Sequence, residues 1–359
     1  MSIEFMIDRF NNNKEKEAII WKDNIYSYEW LLKRIIYWGK QLSLNKINQG
    51  EVVVIEADFS PNSVALFLAL VEHKCILVPI TSSVESKKND FIRIAQAEVS
   101  FIIDQNDLVK IKKINNIANN ELYKELKNRN HPGLVLFSSG STGESKAAVH
   151  DLENVLQKFK IQRYSFRSIV FLLYDHIGGI NTMFYNLANI GCIITVQDRT
   201  PDEVLKSIER YSADLLPTSP TFINLILLSE AYKRFDISSL KIITYGTEPM
   251  PESTLKRFHE LYPNIKLLQT YGLSEVGILS SKSKDSNSLW VKVGGEGFET
   301  RVVNGILEIK AKSAMLGYLN APSPFTEDGW LHTGDEVEVD GEYIKILGRK
   351  SEMINVGGE

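Results

Sequence analysis

"GLVLFSSGSTGESK", residues 133–146, passes from a dry apolar run directly into small hydroxyl residues and glycines that close on Lys146. A short apolar run bounded by turn residues reads as a buried strand. The tail suits a loop that wraps an anion, because glycine lets the backbone come close while Ser, Thr and Lys donate hydrogen bonds. It is not the common phosphate loop G-x-x-x-x-G-K-[ST]: Lys146 follows Ser145 rather than glycine, and Gly140 and Gly143 sit three apart. On this stretch alone a flexible Gly/Ser surface loop is an open alternative, so the rest of the chain has to decide.

Outward from it, strand and helix alternate. "AIIW" and "IYSY" flank "KDN" as a hairpin, and a helix over 29–42 places Leu31, Leu32, Ile35 and Ile36 on one face. "EVVVIEA", "CILVPI" and "VSFIID" read as strands, and "SPNSVALFLALVEH" as a helix with Ser60 as N-cap and Pro61 at its first position. Residues 105–130, rich in Asn and Lys, read as a surface excursion. "SIVFLLY", "GCIITV", "DLLPTSP", "LKIITYG" and "IKLLQTYG" continue the strands, and Thr200-Pro201 repeats the helix-start device. This order predicts an α/β fold of helix-covered, mostly parallel sheets. Beyond residue 288, "LWVKVGG", "ETRVVNGILEIKA" and "EVEVDGEYIKILG" are short alternating strands with Gly turns, a smaller antiparallel β subdomain at the C-terminal end. The expected divisions are 1–130, 131–287 with the phosphate loop, 288–347, and a hinge at 348–359.

With 359 residues, 43% hydrophobic and 24% charged, the chain is an ordinary globular one with room for more than one core. A net charge of −4 gives no electrostatic footprint for nucleic acid. The apolar runs fall far short of the ~18 residues of a membrane span. Cys75 and Cys192, distant in sequence and each beside an apolar run, are expected to be buried free thiols, which suggests a cytoplasmic setting. The six histidines are scattered without ligand-like spacing.

Four loops follow predicted strands: 138–146, "YDHIGG" (174–179), "YGTEPMP" (245–251) and "YGLSE" (271–275). Ligands collect at such strand ends in open α/β sheets. A fifth stretch, "GWLHTGD" (329–335), opens a hairpin whose far strand ends in "GRKSE" (348–352). Each has a plain structural reading: a strand-to-helix turn, a first-turn acid, a hairpin residue, a satisfied loop histidine. Their order is what carries weight.

The ordered set resembles the acyl-adenylate-forming superfamily of acyl- and aryl-CoA synthetases, luciferases and peptide-synthetase adenylation domains, over nearly the whole chain. "SSGSTGESK" is similar to its phosphate loop, with Ser145 in a position usually held by proline; "YGTEPMP" to its adenine-side loop; "YGLSE" to its Y-G-x-[ST]-E segment; "GWLHTGD" to its ribose-binding T-G-D; and "GRKSEMINVGG" to its hinge. The resemblance implies ATP- and Mg²⁺-dependent activation of a carboxylic acid to an acyl-adenylate with release of pyrophosphate. Transfer to CoA or to the pantetheine of an acyl or peptidyl carrier protein would follow. It implies that Ser138, Ser139, Gly140, Ser141, Thr142, Gly143 and Lys146 hold the phosphates, and that Ser274, where the family more often has Thr, donates to the α-phosphate. Glu275 would ligate Mg²⁺. Tyr271 and Gly272, with Gly246, Thr247 and Glu248 opposite, would enclose adenine; Asp335 and Arg349 would bind the ribose; His176 and Asp175 would border the acyl pocket.

The family's mobile C-terminal domain, with its catalytic lysine, follows the hinge, whereas this sequence ends at Glu359 and has Ser351 at the hinge position. The chain is therefore expected to be the core of a longer protein, binding nucleotide yet adenylating slowly alone; a protein that works without the mobile lid is the alternative. "DHIGG" favours a fatty or aryl acid, but Asp175 keeps an amino-acid substrate open. Two other classes stay open as well. A non-catalytic adenylate-binding module is opposed by the intact Lys146, Glu275 and Asp335, and a phosphotransferase by the failed Walker spacing.

Overall fold

The computed structural model describes residues 2–139 and 144–349. Two compact units emerge, Met1–Gln197 with Met315–Ser323, and Asp198–Ala314 with Pro324–Glu359.

In the first unit, strands Gly133–Ser139, Ile76–Ile80, Val52–Glu56 and Val99–Ile103 lie side by side and parallel. Antiparallel strands flank them: Ser145–Asp151, itself joined by Gly317–Tyr318, on one side and Val109–Lys113 on the other. A second run places Arg167–Ile169, Cys192–Ile194 and Glu17–Trp21 in parallel, with Asn24–Ser27 antiparallel at its edge. Between the two runs lies the helix Pro61–Glu72. Every residue from Pro61 to Val71 is buried, and its apolar core joins Ile19 and Ile193 of one run to Val53 and Leu77 of the other. A helix apolar on all sides has to be a core helix. Its start is as the sequence predicts: Ser60 accepts from Ser63 N in a capping box and Pro61 is the first helical residue. Asp107 reinforces it, accepting from Ser60 Oγ at 2.5 Å and from Asn62 N at 3.0 Å.

Three sequence expectations need correction here. The helix Tyr28–Leu44 buries Leu31, Leu32 and Ile35, but Ile36 is 59% exposed, and Trp38 takes the next inward position. Residues 105–130 are not merely a surface excursion: they hold the strand Val109–Lys113 and the helix Glu121–Arg129, whose Tyr123 and Leu126 are buried. The lysines that disguised the strand sit on a sheet edge, where charge discourages further pairing. Of the run "SIVFLLY" only Ser168 and Ile169 are in strand, as the end of Arg167–Ile169. The rest is apolar because it packs as a loop: Tyr174 is fully buried edge-on to Phe59 and Phe67 and donates to Ser63 O at 3.1 Å.

The second unit carries three parallel strands, Leu215–Thr218, Ile242–Tyr245 and Lys266–Gln269, in the register Thr218–Tyr245–Gln269. Helices Pro220–Ser229 and Glu252–Leu261 follow the first two. An antiparallel sheet comes next, in the order Ser280–Ser283, Trp290–Gly294, Tyr343–Arg349, Leu331–Asp340, Ile306–Ala311, Phe298–Val303. Val276, Val291, Leu307 and Ile309 form its core. The α/β class with a C-terminal antiparallel subdomain is thus the observed fold. Cys75 and Cys192 are both free and buried; burial pushes both thiols up, Cys192 to about 12. Among the described residues no helix is long and apolar enough to cross a membrane.

Candidate functional site

In the second unit the loops after two neighbouring parallel strands start side by side. Tyr245 O accepts from Thr270 N at 2.7 Å and from Thr270 Oγ1 at 3.1 Å. That closeness requires Gly246, since a Cβ there would fall 2.6 Å from Thr270 Oγ1 and 2.8 Å from Thr270 O. Thr247, next in the loop, is exposed and left-handed at φ +75°, a costly conformation for a β-branched residue. Glu248 is exposed, and its Oε1 accepts from Thr221 N at 2.7 Å, so its carboxylate caps the helix Pro220–Ser229.

The expected Y-G-L-S-E segment folds back on itself. Gly272–Leu273 pairs with Gly277–Ile278, and Val276 N donates to Leu273 O at 3.2 Å, which leaves Ser274 and Glu275 half-buried in the turn. Gly272 is dictated by this hairpin: a Cβ would lie 2.8 Å from Gly277 O and 2.9 Å from Ile278 Cα.

Tyr271 and Asp335 are each 7% exposed, and the Tyr271 hydroxyl donates to Asp335 Oδ2. Burial first, then the neighbouring Asp335 charge, hold the phenol well above its usual range, so it stays a donor. Arg349 Nε donates to Asp335 Oδ1 at 3.3 Å from the directly opposite position of the hairpin Leu331–Asp340/Tyr343–Arg349. Asp335 N donates to Thr333 Oγ1 at 3.0 Å, and that hydroxyl donates to Leu307 O at 2.7 Å. The hairpin end borders the 245–251 loop, since a Cβ at Gly348 would lie 3.5 Å from Pro249 Cγ. The second unit therefore brings Gly246, Thr247, Tyr271, Gly272, Ser274, Glu275, Asp335 and Arg349 into one loop cluster, with Glu248 turned to a helix end.

The remaining expected residues belong to the first unit. Ser138 pairs with Lys146 and Ser139 with Ser145 across the hairpin, so the first pair shares a face. Gly140, Ser141, Thr142 and Gly143 lie outside the described residues, as does Ser351. Lys146 Nζ stands 5.5 Å from the Tyr318 ring centroid. Asn320 clasps the strand, donating to Ser145 O at 2.9 Å and accepting from Ala147 N at 3.0 Å. Asp175 is buried; its Oδ2 accepts from Thr81 N at 3.1 Å and Thr81 Oγ1 at 2.7 Å, and its Oδ1 is 3.8 Å from Nε2 of the exposed His176. Gly179, in the same loop and helix start, has Leu173 O 1.9 Å from where a Cβ would be. Sequence reasoning missed Thr333, Thr81, Tyr318 and Asn320. Thr333 lay inside the quoted T-G-D, whereas "GYLN" carries no chemical signature of its own.

An open groove of about 490 Å³ in the first unit, lined by Asn89, Arg93, Gln96, Asn116 and Asn119 among others, contains none of these residues. Its polar lining serves the fold, since Gln96 Oε1 accepts from Asn119 N and Asn120 N.

The profile of the AMP-binding enzyme family matches residues 7–304. The chain is 28% identical over 262 residues to the probable CoA ligase CCL5 of Humulus lupulus, covering 64% of this chain and 48% of that protein. It is 26% identical over 307 residues to the peroxisomal OPC-8:0-CoA ligase 1 of Arabidopsis thaliana, covering 77% and 56%. It spans about half the length of the curated relatives it matches. The anthranilate CoA ligase AuaEII, solved with anthranoyl-AMP, shares its fold at a TM-score of 0.84 and 18% identity, over 100% of this chain and 78% of that one. By the match to 7–304 and the fold that carries it, this chain belongs to the AMP-binding enzyme family.

Proposed function

We propose that this chain forms the nucleotide- and acid-binding core of an adenylate-forming ligase. It would join a fatty or aryl carboxylic acid to the α-phosphate of ATP, release pyrophosphate, and pass the acyl group to a thiol. The names of the CoA-ligase relatives favour CoA as acceptor over a carrier protein. The observation that carries the reading is the buried Asp335, held by Tyr271 and Arg349 beside two loops at parallel strand ends.

The chemistry explains the residue types. A carboxylate attacking an α-phosphate brings two anions together, so the site has to supply positive charge and donors and align the partners. Lys146, Ser138 and the hydroxyls of the phosphate loop would hold the departing phosphates. Asp335 accepts from ribose hydroxyls, Arg349 donates to the same sugar, and the Tyr271 ring offers a face to adenine. Ser274 would donate to the α-phosphate. Among the described residues no cluster of three or more His, Cys, Asp or Glu side chains could build a protein-only metal cage. The half-buried turn carrying Glu275 and the Ser274 hydroxyl instead offers a few hard oxygens, the donor set a Mg²⁺ shared with phosphates uses. Glu275 would hold that ion, which supplies charge neutralisation at the phosphates. Asp175 Oδ2 is engaged by Thr81, whereas its buried Oδ1 has no hydrogen-bond partner among the described residues; the fatty or aryl acid therefore rests on the likeness of "DHIGG", with an amino acid as the second reading.

The test is acid-dependent exchange of labelled pyrophosphate into Mg-ATP across a panel of fatty, aryl and amino acids. Exchange with an aryl or fatty acid is expected. AMP binding without exchange for any acid, with the full-length protein, would reduce the function to nucleotide binding.

A further inference from the structure

We propose that Tyr271 is the positioning residue of the ribose acceptor, and that its hydroxyl, through Asp335, makes the site selective for nucleotides with an intact 2′,3′-diol. The inference rests on the nucleotide-binding reading above and gives the hydroxyl a task distinct from that of the ring.

Asp335 is held at three points. Its main-chain N–H is fixed to Thr333 Oγ1 at 3.0 Å, its Oδ1 takes Arg349 Nε at 3.3 Å, and its Oδ2 takes the Tyr271 hydroxyl. An ionised carboxylate offers about four lone-pair sites. Two are used by the protein, and the two left match the two O–H donors of a vicinal diol. The clamp matters because the site is buried: Asp335 and Tyr271 are both 7% exposed, and little water is there to satisfy a carboxylate that turns away. Arg349 is the looser partner, at the longer distance and with 39% of its side chain exposed. Without the phenol, Arg349 is the hydrogen-bond partner left to the carboxylate, and rotation toward it takes Oδ2 from the direction a ribose would need. The phenol is kept protonated by burial and by the negative carboxylate it faces, so its one proton stays available to Asp335 Oδ2. Tyr271 is itself fixed at its main chain, its N–H donating to Ser281 Oγ at 3.3 Å.

The experiment compares AMP with 2′,3′-dideoxy-AMP by calorimetric titration of wild type, Tyr271→Phe, Asp335→Asn and the double variant. Phenylalanine keeps the ring and removes only the hydroxyl. Tyr271→Phe should weaken AMP about tenfold, the value of one charge-assisted hydrogen bond, and should change dideoxy-AMP less than twofold. In the Asp335→Asn background the same change should cost AMP less than twofold. Equal loss for both ligands, or no loss for AMP, overturns the positioning role while leaving nucleotide binding intact. Tighter AMP binding by Tyr271→Phe overturns it too, showing that the phenol competes with ribose. Wild type that binds neither ligand removes the nucleotide reading itself. If Tyr271→Phe does not fold, the AMP to dideoxy-AMP ratio of Asp335→Asn decides: a ratio equal to that of wild type overturns the proposal.

Discussion

Replacing Gly272 with alanine separates a packing role from a ligand role at one signature residue. The new methyl would sit 2.4 Å from Ile278 Cδ1, 2.8 Å from Gly277 O and 2.9 Å from Ile278 Cα. The first contact is with the end of a flexible side chain and can be relieved by a rotamer change. The other two are with the backbone of the facing strand. That strand is pinned by the Gly272–Ile278 and Leu273–Gly277 pairs and by Leu279 N donating to Tyr271 O at 3.0 Å, so relief means opening the hairpin. Overpacking of this kind costs about 1–3 kcal/mol. Ser274 and Glu275 sit in the turn that would move, so the phosphate and Mg²⁺ contacts proposed for them should suffer with stability. Urea unfolding followed by fluorescence, with Mg-ATP titration on the folded variant, reads both. Stability within 0.5 kcal/mol of wild type together with unchanged Mg-ATP affinity would refute the reasoning, because the hairpin would then have room to spare.

Thr247→Gly should stabilise the second unit by about 1 kcal/mol by relieving a left-handed β-branched residue at φ +75°; an unchanged or lower urea midpoint counts against strain there. Glu275→Gln should abolish most acid-dependent pyrophosphate exchange while AMP binding persists, since the neutral amide loses the charge a hard cation needs; exchange at wild-type rate at ordinary Mg²⁺ would remove the metal role. Burial is the larger influence on Asp107 and raises its carboxyl above 3.8, outweighing the hydrogen bonds from Ser60 and Asn62. A raised folded pKa gives stability that is full below the unfolded value and lost as pH rises through the folded one. Wild type should therefore lose stability relative to Asp107→Asn as pH climbs from about 4 toward neutrality, and parallel curves in urea titrations would contradict this.

What the sequence disclosed and what it hid follow physical lines. The helix at Pro61 was legible because capping is local: Ser60, Pro61 and Ser63 are three residues apart and act on each other. The parallel strands were legible because double burial makes them continuously apolar. The strand Val109–Lys113 was not, since an edge strand needs apolar residues on one face only and carries lysines on the other. Tyr174 misled for the opposite reason, as its loop is as dry as a strand without pairing like one. In the candidate site, the residues themselves were named by motif, but their partners were not. Asp175 and Thr81 are 94 positions apart, and Lys146 meets Tyr318 because the segment Met315–Ser323 returns to the first unit. No local pattern encodes such a meeting.

The glycines of the two signature loops show how the fold builds the chemistry. Gly246 has no Cβ because Thr270 stands against it, and that contact ties the end of one parallel strand to the end of the next. Tyr271 begins at that tie, and Gly272 then lets the chain double back within a backbone's width. The doubling back gives Tyr271 O a donor in Leu279 N, and Ser281 Oγ receives the Tyr271 N–H. With both main-chain groups held, Tyr271 has a fixed base from which its phenol reaches the carboxylate of Asp335. A side chain at either glycine would therefore act on Asp335 without touching it: the backbone would shift first, then the Tyr271 hydroxyl, and Asp335 last.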